Sequence, residues 1–82
     1  SRLPAISEKL ATQVIDAIHK IRTLDLKKAP SISETLDWAQ SLALLNADSL
    51  TPELVGATLN LALKYEGDIE QARDHLAELA PG

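Results

Sequence analysis

Pro30-Ser31-Ile32-Ser33-Glu34-Thr35-Leu36-Asp37-Trp38-Ala39 is the stretch on which the reading of this chain turns. Ser31 and Glu34 stand in the Ser-x-x-Glu spacing of a capping box. There a hydroxyl and a carboxylate satisfy two backbone donors that a helix start leaves unpaired. Pro30 keeps the residue before it out of the helical region and so marks the boundary. The spacing predicts a helix over residues 32–45 whose inner face is Ile32, Leu36, Ala39, Leu42 and Ala43. Trp38 is the lone tryptophan. It reads either as a core anchor or as a contact aromatic on a partner-binding face.

The same kind of reading extends in both directions. Upstream, a helix is expected from about Ser7 to Arg22, with Ser7 as its cap. Leu10, Val14, Ile18 and Ile21 form one stripe, which Ala11 and Ile15 widen. Lys20 and Arg22 fall in the last turn, where cations suit the negative end of the helix dipole. Residues 23–30 alternate Leu24 and Leu26 with polar neighbours, as an extended linker docking two leucines on the core would. Downstream, Asn46-Ala47-Asp48-Ser49 is a short polar connection. Thr51-Pro52-Glu53 then opens a third helix with a Thr cap, a proline at the first helical position and an acid in the first turn. Its core face is Val55, Thr58, Leu59 and Ala62, flanked by Leu54, Leu61 and Tyr65. Gly67 is expected to end it in a left-handed conformation. Asp68 should cap a fourth helix carrying Ile69, Ala72, Leu76 and Leu79, which Pro81-Gly82 stops.

The expected fold is therefore all-α, a small bundle of four main helices forming one domain over residues 1–82. No segment has the run of Val, Ile, Thr and aromatics that a strand needs. A chain of this length buries about two-thirds of its unfolded surface. With no Phe, Met or Cys, one Trp and one Tyr, its core must be built from Leu, Ile, Val and Ala. No cysteine means no disulfide and no thiolate metal site, which suits a reducing cytoplasm. No apolar run reaches the ~20 residues of a membrane span, and no hydrophobic leader opens the chain. The start at Ser1-Arg2, without Met, is that expected of an excised or processed piece.

Charge is unevenly spread. Residues 1–30 hold six basic and three acidic groups, net +3; the remainder holds two basic and nine acidic groups, net −7. The split marks an interaction surface or simply the solvated faces of helices. Global acidity argues against nonspecific nucleic-acid binding. His19 and His75 are too far apart for a local metal motif, and on a helix Asp74 and His75 point about 100° apart. Glu66, Asp68 and Glu70 lack the ligand spacing of a calcium loop. There is no nucleophile elbow and no glycine-rich phosphate loop. No catalytic residue and no metal ligand is expected, and the isolated chain reads as a non-enzyme.

The Pro30–Ala39 run resembles, in almost this form, the helical lid of one branch of the MoxR-type AAA+ ATPases. The first helix, the Leu24–Lys28 linker, the Asp48–Val55 segment and the Leu63–Glu70 segment match that branch in the same order, over about residues 4–72. The resemblance implies an AAA+ lid-like domain whose Walker-motif partner domain, holding ATP and Mg, lies outside these residues. It implies neighbouring ATPase subunits as partners, a von Willebrand factor A-domain protein as a further one, and a role in chaperone-like assembly or metal insertion. Lys28, Ser31, Ser33 and Thr35 become the candidates for a place beside the nucleotide, with Lys27 next to them. Leu24 and Leu26 become the hinge. Many such lids carry a sensor 2 arginine in the first turn of this helix. Here the neutral Thr35 stands at that place, after Glu34, so no arginine contact to phosphate carries over. The competing readings are a stand-alone helical protein-interaction module and a small dimeric structural bundle.

Overall fold

The computed structural model describes residues 6–81; Ser1-Arg2 and Gly82, on which part of the sequence reading falls, lie outside them. The described residues form helices α1 (Glu8–Ile21), α2 (Ile32–Leu44), α3 (Pro52–Ala62), α4 (Glu66–Arg73) and α5 (Leu76–Leu79), with no strand. The all-α expectation holds.

Three helix starts form as their local chemistry dictates. The Ser7 hydroxyl accepts from the Leu10 amide, the Ser31–Glu34 capping box is complete, and the Thr51 hydroxyl accepts from the Leu54 amide. Helix α2 ends in a left-handed Asn46, φ 58°. The Asn46 amide donates to the Ala43 carbonyl at 3.0 Å and the Ala47 amide to the Leu42 carbonyl at 3.1 Å. That pair is the Schellman arrangement, with asparagine in the place glycine commonly takes.

The helices close a ring: α1 packs on α2, α2 on α3, α3 on α5, and α5 back on α1, while α4 lies against α3. Leu10, Val14, Ile18 and Ile21 of α1 point inward, joined by Ala17. Trp38 fills the middle, fully buried, and its indole N–H donates to the Thr58 hydroxyl at 2.7 Å. This settles Trp38 as a core anchor. Thr58 passes its own proton to the Leu54 carbonyl at 2.8 Å. Two polar ties brace the ring: Gln13 Oε1 accepts from the Leu50 amide at 2.7 Å, and Lys20 Nζ donates to the Glu78 carbonyl at 2.8 Å. Leu24 and Leu26 dock half-buried on the core as expected, but the linker is turned, not extended: the Leu24 amide donates to the Ile21 carbonyl and the Leu26 amide to the Leu24 carbonyl, each at 3.0 Å.

The second half departs from expectation in three places. Helix α3 stops at Ala62, not Gly67, because Leu63 turns extended (φ −121°, ψ 140°) and drops its side chain into the core. Gly67 instead lies inside α4 without a positive φ. Asp68 does not cap α4. It sits in the first turn, 4% exposed, and accepts the Lys27 amide at 2.8 Å and the Lys28 amide at 3.0 Å. A carboxylate offered two otherwise unpaired amides of the linker satisfies more donors there than as a local cap. The expected fourth helix is broken at Asp74-His75, so that α4 and α5 are separate. Amide bonds three residues apart, His75 to Ala72 at 3.0 Å and Asp74 to Gln71 at 3.2 Å, tighten the turn. Leu76 then packs toward Gly56 of α3, where an added Cβ would meet its Cδ1 at 3.3 Å.

Candidate functional site at the start of the second helix

Pro30 is buried, and its carbonyl accepts from Arg22 Nη2 at 2.6 Å, which fastens the end of the linker to the end of α1. From that fixed point α2 begins. Glu34 Oε1 accepts the Ser31 amide at 2.9 Å, and the Ser31 hydroxyl accepts the Glu34 amide at 3.2 Å. Glu34 is nearly buried, and two exposed lysines reach it: Lys28 at 3.5 Å and Lys64 at 3.4 Å. Its pKa is lowered from 4.5 to about 2. The Ser31 amide is the main cause; burial opposes it, and the Ser31 hydroxyl and the two lysines assist.

Three of the four candidates, Lys28, Ser31 and Thr35, meet within this one turn. Their polar groups are already engaged with one another. Ser31 is the cap, and Lys28 gives its amide to Asp68 and its ammonium to Glu34. The Thr35 hydroxyl donates to the Ser31 carbonyl at 2.8 Å. Ser33 points to solvent. Beside them Lys27 lies over the Tyr65 ring, 4.4 Å from its centre, a cation–π contact between linker and α4. The positive pole of α2 is therefore filled by the carboxylate of its own Glu34.

The sequence reading misplaced the apolar surface of α2. Ile32 and Leu36, assigned to the core, are 76% and 55% exposed, and Ile15 of α1 is 51% exposed. The buried positions are Glu34, Trp38 and Leu42, with Ala39 and Ala43 half-buried. The exposed residues instead wall a groove between α1 and α2. Its main part, about 450 Å³, is lined by Ile15, Ile18, His19, Arg22, Ile32, Thr35 and Leu36. A further recess of about 170 Å³ continues it past Ala11, Val14 and Ala39 to Ile6. Thr35 thus opens onto an apolar groove. The signal was available in the sequence. Helix α2 carries two apolar flanks, Ile32/Leu36 and Trp38/Leu42, and only one can face the core.

His19 stands on the groove wall, and His75 Nδ1 lies 2.9 Å from Glu78 Oε1. Among the described residues no group of three or more His, Cys, Asp or Glu is placed to hold a metal ion. No described helix is long and apolar enough to cross a membrane. No family model, curated protein or solved structure matches this chain.

Proposed function

We propose that these residues are the C-terminal helical lid of a MoxR-type AAA+ ATPase, working in the cytoplasm within an oligomer for chaperone-like assembly or metal insertion. The observation that carries the reading is the Pro30–Ala39 run, which opens α2 with a complete capping box behind a linker tied down at Lys27, Lys28 and Pro30. The ATP and Mg belong to the Walker-motif domain, which supplies the phosphate chemistry. No arginine stands at the start of α2, where Glu34 accepts the Ser31 amide and the Thr35 hydroxyl is held by the Ser31 carbonyl. This lid therefore acts by position. It closes over the other domain and passes that domain's rotation to neighbouring subunits through the Leu24–Leu26 hinge, without delivering a charge. By itself it hydrolyses nothing and holds ATP no tighter than about 10 μM, or roughly 7 kcal/mol.

The second reading is a stand-alone helical interaction module, favoured by the open groove between α1 and α2. The reading frame upstream of residue 1 separates the two. Walker A and Walker B motifs within a domain's length support the lid. A frame without them overturns the lid and leaves the module.

A further inference from the structure

The geometry points to the α1–α2 groove as the docking site of an amphipathic helix from another protein, acidic along the flank that meets Arg22 and His19. The inference rests on the groove alone and stands under either reading above. The floor and walls are apolar: Ile15, Ile18, Ile32 and Leu36, continued by Val14 and Ala39. Helix α1, 14 residues long, gives the groove a length of about 21 Å at 1.5 Å per residue. That is enough for three to four turns of a helix presenting apolar residues at i, i+3 and i+7.

Charge selects the occupant. The ionisable residues lining the groove are Arg22 and His19, and no carboxylate lines either part of it. Among the described residues neither of them lies in an ion pair. Arg22 has one nitrogen on the Pro30 carbonyl, and its charge is uncompensated there. His19 adds a ring N–H donor. A second copy of the chain is a poor fit. A two-fold pairing would lay the groove against the same groove of the copy, whose lining offers no carboxylate to Arg22 or His19. The acidic helix α4 offers no apolar face, since Ile69 and Ala72 are buried in the core.

The test uses a display library of 16-residue peptides with leucines fixed at i, i+3 and i+7 and randomised flanks, selected on the full chain. The best binder is then titrated against the protein with methyl labels on isoleucine and leucine. Acidic residues should be enriched on one flank, and the shifts should centre on Ile15, Ile32 and Leu36. Changing His19→Glu and Arg22→Glu together, with helical content checked, should weaken the selected peptide about ten-fold or more, since the Arg22 charge pair is lost and two carboxylates then face the acidic flank. Leu36→Asp should abolish binding. Enrichment of basic or uncharged flanks, or shifts away from these methyls, overturns the proposal. So do concentration-dependent shifts of the same methyls without peptide, which assign the groove to a second copy. If adding the Walker-motif domain in the same chain closes the groove to the peptide, the groove belongs to that domain and the proposal fails.

Discussion

Glu34 is the residue on which most of the local chemistry converges. Because its folded pKa lies near 2, below the ordinary 4.5, it contributes stability that is fully present above pH 4.5. That contribution is lost as pH falls through the interval to about 2, since the unfolded chain takes up the proton first. Urea midpoints measured from pH 6 to pH 2 should therefore fall more steeply in the native protein than in Glu34→Gln. Parallel curves would mean that the capping box is open in solution. Trp38 is the second such residue. Trp38→Ala should cost about 3–5 kcal/mol, as truncation of a buried aromatic does. Thr58→Val, which keeps the shape but orphans the indole N–H, should cost about 1–3 kcal/mol. Denaturation with both variants checks the pair, and an unchanged midpoint in Thr58→Val would show that the indole finds another acceptor. The capping box was legible in four letters because its partners are three residues apart. The Trp38–Thr58 bond was not, because nothing local specifies a partner twenty residues on.

At the scale of elements, the same boundary between near and far decides what could be read. The starts of α1, α2 and α3 follow from side chains bonding to their own first turn. The end of α3 and the start of α4 do not, because burial of Leu63 and the linker amides decide them. Gly67 looked like a terminator only because glycine is the commonest one. Here it occupies an ordinary helical position with open space around it. Gly67→Ala should therefore raise stability by about 0.5 kcal/mol through the unfolded chain's lost freedom. A fall would restore the left-handed assignment. Asp68→Ala removes the acceptor of two linker amides and should cost about 2 kcal/mol. Hydrogen exchange of the Lys27 and Lys28 amides should quicken more than that of α1 or α3. Equal acceleration everywhere would mean that Asp68 supports the core, not the linker. The exposed flank of α2 was misread for a related reason. Periodicity says that a helix has an apolar face, and a helix with two leaves the choice to its neighbours.

For the whole molecule, the fold class was legible and the function less so. In the ATPase proposed above, Thr35→Ala should change turnover by less than about five-fold, because it removes one ordinary hydrogen bond. If the proposed Leu24–Leu26 hinge operates, Leu24→Asp should reduce turnover more. Steady-state turnover of both variants, with assembly verified, is the measurement. A hundred-fold loss in Thr35→Ala at normal nucleotide affinity would give the side chain a role in the chemistry that its bond to Ser31 denies it. The ring of helices carries one more consequence, which concerns time. Of the five described helices α1 is made first, yet it packs on α5, made last of the five, and the Lys20–Glu78 tie spans 58 residues. On a ribosome adding about 5–20 residues per second, α1 waits several seconds for the surface it rests on. Its apolar stripe is a stranded half-interface throughout that interval. Arrested chains ending at residue 74 should accordingly leave Trp38 emitting at longer wavelength and open to quenchers, while chains extended past residue 81 should not. If the shorter chains already protect Trp38, the first three helices form a nucleus of their own and the ring is closed around it afterwards.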